Sequence, residues 1–383
     1  MRPLHVVQLS RDTDLLQASA GSEPAERQLG YARTLDQRAP GSVVTILVRT
    51  RRRDAVGWQR ENLNVRPMKE PPSGTLACLR DLHALHKSRR IDVITTQVPY
   101  DEAWLALAAG AWHRIPVIGQ IHSDLFAEHP DASGTRRMMG VQLRHWAVRQ
   151  TLPAFAAVRT VSSEARASVA RISGRVPLAT IPVPVPMLRS GARMARQKEP
   201  LVIFVGRLAP EKDLRTWLQV ARAVADEHPN ARFEIIGDGP EREPLQREVE
   251  ALGLGGVLSF AGFTAYDRLR EIYARATALL LTSRAEGFGR VLVEAASQGT
   301  AAVSTAMAGP RDIVINGVTG FLHEPGEVAG LARSVAFLLR HPQHASAMGD
   351  RARTLVSARF DPERLRAAWV DLWITTARAK QVA

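Results

Sequence analysis

Residues 279–299, LLLTSRAEGFGRVLVEAASQG, decide how this chain is read. An apolar strand-like run comes first, then a loop holding Gly287 and Gly289, then a helical pattern from about Phe288 to Gln298. Glycine lets backbone N–H groups come close to an anion, and the amino end of the following helix adds partial positive charge at the same spot. Glu286 and Glu294 stand on either side of that layout. On a single helix they would lie roughly 12 Å apart along the axis and about 80° apart in direction. Such a pair is placed to hold two hydroxyl-bearing groups across a diphosphate.

The rest of the chain is long enough for two domains of this kind. Its 383 residues, 45% of them apolar, describe a globular protein of two cores. The longest apolar run, Ala103 to Trp112, is well short of the roughly 20 residues that cross a bilayer. The first residues, MRPLHVVQLSRDTD, lack the pattern of a secretory signal, and Cys78 is the only cysteine, so a cytoplasmic location is expected. Charge is divided unevenly. Residues 1–200 carry 29 Lys+Arg against 17 Asp+Glu, whereas residues 201–383 carry 22 against 21. A basic first half beside a neutral second half points to an acidic partner, such as an anionic membrane surface or a lipid diphosphate. No nucleic-acid module is recognisable, and nucleic acid is not expected as a partner.

Short β-rich runs alternate with helical patterns, which predicts parallel α/β sheets. The expected strands are His5–Leu9, Val43–Val48, Ile91–Thr95, Val117–Ile121 and Ala157–Val161, then Leu201–Val205, Arg232–Ile236, Leu258–Phe260, Ala278–Thr282 and Ala301–Ser304. Between the two sets, Ile181 to Pro186 carries a proline at every second position and reads as an extended linker. The domains expected are therefore 1–186 and 187–360, with a last helical pattern from Arg364 to Ala379 within 361–383. Ser133 to Arg171 holds seven arginines and one acidic residue, Glu164, among Met138, Leu143, Trp146 and Phe155. This mixture suits a helix on an anionic membrane, and a core-facing helix with a basic outer side would look the same.

Other motifs gain meaning from their order. Gly206-Arg207 through Lys212-Asp213 ends a strand and opens a helix, so Arg207 and Lys212 would meet an anion there, or would be two solvated charges. Gly237-Asp238-Gly239-Pro240 is a tight turn that could border a nucleotide, yet it is also ordinary strand-to-helix chemistry. Phe263 could contact a base, although taken singly it is a more natural core residue. His122 closes a strand where open α/β sheets bind ligands. Asp12 and Asp14 share a D-x-D spacing seen in metal-dependent sugar transferases, but two aspartates alone are common in loops, and no metal is assigned.

In this order GRLAPEKD, IIGDGPERE, FAGF, SRAEGFGRVLVEAASQG and AGPRDIVINGVTGFL resemble the retaining family 4 glycosyltransferases, most closely over about Leu201 to Arg340. VIGQIHSDLF and AFAAVRTVSSEARA look like the family's acceptor-domain segments. The resemblance implies the GT-B fold: two Rossmann-like domains facing across a cleft, the second taking a UDP- or GDP-sugar donor and the first the acceptor, with the C-terminal helix crossing back to the first. It implies that Arg207 and Lys212 hold the donor diphosphate, Glu294 the ribose and Glu286 the transferred sugar. The backbone near Gly287, Phe288, Gly289, Arg290 and Val291 would touch phosphate, Gly239 and Phe263 would border the base, and His122 would lie close to the reacting sugar. No metal or other cofactor is required. The sequence departs from the pattern in offering Gly21 alone where the family has paired glycines, Arg290 at a commonly aliphatic position, and Ala308-Gly309 in place of Gly-Gly. The function expected is retaining transfer to a lipid-linked or glycan acceptor, at the inner face of the cell membrane during cell-surface polysaccharide synthesis. A GT-B epimerase or phosphorylase, or a non-catalytic glycan-binding or nucleotide-binding protein of the same fold, is the alternative.

Overall fold

The computed structural model describes residues 2–17, 23–52, 54–69, 75–97, 101–122, 146–186 and 198–382. They form two compact units. The first draws on residues up to 184 and takes up the chain again from Glu363, and the second is built mainly from Val185–Pro362.

The first unit holds an eight-stranded sheet of β1 (His5–Ser10), β2 (Val43–Thr50), β3 (Trp58–Arg60), β4 (Leu63–Lys69), β5 (Val93–Thr96), β6 (Val117–Ile121), β7 (Ala157–Thr160) and β8 (Leu178–Thr180). Its spatial order is β3-β4-β2-β1-β5-β6-β7-β8. All neighbours are parallel except β3 and β4. The second unit holds six parallel strands, β9 (Glu199–Val205), β10 (Arg232–Ile236), β11 (Leu258–Gly262), β12 (Ala276–Leu281), β13 (Ala301–Thr305) and β14 (Gly320–His323), in the order β11-β10-β9-β12-β13-β14. Helices cover both faces of such a sheet, so its central strands read as unbroken apolar runs. All six residues of β12 are buried, and Trp217 on the helix Leu214–Glu227 packs into the same core, its indole N–H donating to the Leu280 carbonyl at 3.2 Å.

Sequence order reverses between β9 and β12, as it does between β1 and β5. Loops leaving neighbouring strands at such a switch point diverge, and a crevice opens outside the carboxyl ends of the strands.

The C-terminal helix, Pro362–Val382, belongs to the first unit from Glu363 onward. Trp369 and Trp373 are buried there. Trp373 meets Tyr31 edge-on at 5.9 Å, and the Arg159 guanidinium lies 4.6 Å over the Trp369 ring. Arg159 is itself buried and donates to the carbonyls of Ile181 at 2.8 Å and Pro182 at 2.9 Å, so one side chain ties the helix to the chain leaving β8.

One expectation needs correction. Ser133 to Arg171 is not a single interfacial helix, because the described part is broken by the buried strand β7 and resumes as a separate helix, Ser163–Ile172, capped by Ser162. Residues 133–145 lie outside the described residues.

Candidate active site at the switch point of the second unit

The loop after β9 carries Arg207 and Lys212. Leu208 anchors it, donating from its N–H to the Asp238 carbonyl at 2.9 Å and accepting the Glu241 N–H at 3.0 Å. This contact explains the glycines of the neighbouring loop. A Cβ on Gly239 would lie 2.3 Å from the Leu208 carbonyl oxygen, and one on Gly237 would lie 1.9 Å from that of Gly206. Gly239 thus lets two loops touch, whatever it borders on its other side.

Lys212 ends the short helical turn Pro210–Lys212, and Asp213 starts the next helix with φ 46° and ψ 53°, in the left-handed region that costs a side chain about 1 kcal/mol. The carboxylate of Asp213 accepts from Thr216 Oγ1 at 2.8 Å and from Arg284 Nε at 2.7 Å. Thr282 Oγ1 lies 3.0 Å from the carbonyls of both Lys212 and Asp213, and the Arg284 N–H donates to the Glu211 carbonyl at 2.9 Å. The loop after β9 is in this way stitched to the loop after β12.

The result is a direct pair between the two central residues. Lys212 Nζ donates to Glu286 Oε2 at 2.6 Å, with both side chains largely buried. Arg207, by contrast, is exposed and pairs with no acidic group among the described residues.

Glu286 stands in the loop before the helix Arg290–Ser297, so the two glutamates do not share one helix. Gly289 caps that helix at φ 86°, a conformation only glycine adopts freely, and ends the loop where the helix must start. Phe288 turns inward and meets Phe360 edge-on at 5.6 Å, which leaves its backbone for any contact with a ligand. Gly309 donates its N–H to the Glu286 carbonyl at 3.1 Å, and a Cβ there would lie 2.2 Å from the Phe288 carbonyl oxygen. Gly287, Arg290 and Val291 are partly exposed around the first turn of the helix.

Glu294 is buried on the same helix. Tyr273 Oη donates to its Oε2 at 3.0 Å, and Arg290 approaches Oε1 at 3.8 Å. Burial first, and then Glu294, hold the pKa of Tyr273 well above its ordinary value, so the phenol stays a donor. Sequence reading missed Tyr273, which lies on a helix face with nothing to separate it from core. It missed Asp213 and Arg284 as well, although an aspartate immediately before LRTWLQV is a helix-start signal. Phe263 corrects the reading of it as core. It is 89% exposed just beyond β11, and an aromatic face left in water is suited to stacking.

In the first unit His122 follows the last residue of β6. The protein around it desolvates the ring and, with the guanidinium groups of Arg159 and Arg27, pulls its pKa down to about 3. The imidazole is neutral at ordinary pH. Asp12 accepts the Asp14 N–H at 3.2 Å, a cap for the short helix Asp14–Gln17, and burial raises its pKa. Among the described residues no three potential metal ligands gather in one place. Gly21 lies outside the described residues.

Two family models match this chain: Glycosyltransferase Family 4 over residues 32–187 and Glycosyl transferases group 1 over residues 192–355. A 2-deoxystreptamine N-acetyl-D-glucosaminyltransferase of Niallia circulans is 33% identical over 172 residues, 45% of this chain and 44% of that enzyme, so the match spans less than half the relative's length. The sucrose-phosphate synthase of Thermosynechococcus elongatus superposes with a TM-score of 0.79 at 21% identity, covering 98% of this chain and all (100%) of that one. Anabaena HepE in complex with UDP gives 0.74 at 20% identity, over 97% and 100%. At these identities the two structures speak for the fold.

Proposed function

The chain belongs to glycosyltransferase family 4, and on that premise we propose that it moves a sugar from a UDP- or GDP-sugar to an acceptor hydroxyl with retention at the anomeric carbon. The acceptor would be a lipid-linked or glycolipid intermediate at the cytoplasmic face of a membrane.

The observation that carries this reading is the Lys212–Glu286 pair at the switch point, beside exposed Arg207 and the amino end of the helix Arg290–Ser297. Without donor, Lys212 and Glu286 satisfy each other. An entering diphosphate would compete for Lys212, and Glu286 would be released to accept hydrogen bonds from the sugar. In the transfer, the bond between the anomeric carbon and the phosphate oxygen breaks and the diphosphate keeps the electron pair. Lys212, Arg207 and the helix end would stabilise that charge. The acceptor oxygen bonds to the same face, and the phosphate oxygen just uncovered is the nearest base for its proton. Glu294, with one oxygen held by Tyr273, would present the other to the ribose. Phe263 would stack on the base. In the first unit, His122 would offer a hydroxyl a hydrogen bond without adding charge.

The likeness of the fold to HepE, whose structure holds UDP, supports a diphosphate donor. The basic balance of residues 1–200 supports an anionic surface, and among the described residues no helix is long and apolar enough to cross a membrane. Radiolabelled transfer from UDP- and GDP-sugars to membrane extracts tests the reading. Label should enter an extractable product of the donor's own anomeric configuration, and folded protein that labels nothing would refute it.

A further inference from the structure

We propose that the end of the first unit where its strands begin is a docking face for an anionic phospholipid bilayer, with a lipid acyl chain lying in an apolar groove there. This rests on the anionic-surface part of the reading above and concerns how the protein is held at a membrane, not where the acceptor enters.

The groove, of about 940 Å³, is lined by residues such as Trp104, Leu107, Ala111, Val117, Phe155 and Leu372, none of its lining being charged. It lies between the helix Asp101–His113, the helical residues 146–151 and the C-terminal helix. Val117 and Ala157 open their strands, whereas His122 follows the other end of β6, so the groove is at the end of the sheet opposite to His122.

The same end is basic. In parallel α/β units the carboxyl ends of helices gather where strands begin, and cations there also complement the helix dipoles. Lys87 precedes β5, Arg114 precedes β6, Arg149 precedes β7 and Arg175 precedes β8. All four are exposed, and none pairs with an acidic group among the described residues. Of the described acidic groups at this end, Asp92 pairs with Arg2 at 2.8 Å and Asp371 with Arg38, while Asp36 accepts the Gly41 N–H and keeps its charge. Two tryptophans stand out into solvent near it, Trp112 at 65% and Trp146 at 56%, while Trp104 lines the groove from the first turn of the helix Asp101–His113. Indole at the level of headgroups and cations facing anionic lipid are the two anchors a peripheral protein uses. A second copy of the chain fits poorly, since a two-fold contact would set these cations against their own images.

Flotation of the full chain with vesicles tests the assignment, using phosphatidylcholine alone or mixed with phosphatidylglycerol. Wild type should float only with the anionic vesicles. Each charge removed should weaken binding about fivefold, so the Arg114→Gln/Arg175→Gln pair should lose about 25-fold. Ala108→Glu puts a carboxylate on the exposed wall of the groove without removing any packing, and it should weaken binding at least as much. Both variants should keep the wild-type melting temperature. Equal flotation on neutral vesicles, wild-type binding by Ala108→Glu, or a dimer in ultracentrifugation that Ala108→Glu dissolves would each overturn the proposal. Thermal shift with UDP and GDP is read separately: loss of nucleotide binding with flotation intact would sink the transferase reading and leave the docking face standing.

Discussion

At the scale of single residues the account turns on charge placed before the donor arrives. Lys212→Ala removes a charge-assisted contact of about 1.5–3 kcal/mol, so calorimetry should show diphosphate affinity lowered by roughly one to two orders of magnitude. Glu286→Gln should leave nucleotide affinity within a few-fold of wild type and reduce turnover far more, which steady-state kinetics separates. Phe263 contributes little to stability because its ring is already in water. Phe263→Ala should therefore melt like wild type while losing about 1–3 kcal/mol of nucleotide binding, the usual value of a stacked base. Asp213 acts through others. Replacing it by glycine relieves the left-handed backbone but frees Arg284, so stability should change by less than about 1 kcal/mol while turnover falls, and Asp213→Asn should restore part of it. These contributions differ in how far the sequence announced them. Lys212 and Glu286 stand in ordered motifs, whereas the bonds that fix them run through Thr282, Arg284 and Asp213, and a single sequence does not tell which loop touches which.

Secondary-structure elements were legible where burial is two-sided. Val117–Ile121 and Arg232–Ile236 match the expected bounds to the residue: the first is buried throughout, and the second is marked by buried Phe233, Ile235 and Ile236 despite Arg232 and Glu234. The edge and near-edge strands β3, β4, β8 and β14 escaped notice. They are short or polar, as in Leu63–Lys69 with Asn64, Arg66 and Lys69, and are held by a neighbour's ladder instead of an apolar run of their own. The helix after Gly289, expected from about Phe288 to Gln298, runs Arg290–Ser297, and Glu286 stands in the loop before it. The glycine turns were ambiguous for a related reason, since close backbone approach and ligand approach demand the same residue. Their structural role is testable: Gly239→Ala must push against the Leu208 carbonyl, so second-unit stability and donor affinity should fall together, by about 1–3 kcal/mol in denaturant unfolding.

The molecule as a whole divides its chemistry between units of unequal charge, and pH should expose that division. His5, buried in β1, contacts Thr45 Oγ1 at 2.9 Å, and burial pulls its pKa from 6.5 down to about 4. The folded first unit keeps this ring neutral where the unfolded chain protonates it. Its stability contribution is thus full above pH 6.5 and lost as pH falls to 4, by about 3 kcal/mol. Denaturant unfolding at both pH values should show a loss smaller by about that amount in His5→Gln than in wild type, the remainder coming from other groups such as His122. The second unit holds the claim on which the rest depends, that the crevice between β9 and β12 binds a nucleoside diphosphate. Calorimetric titration of UDP and GDP into wild type, Arg207→Ala and Lys212→Ala measures it most directly. The account predicts that one of the two nucleotides binds wild type and that each substitution weakens it tenfold or more. Binding of neither nucleotide, or binding that both variants retain unchanged, would contradict it.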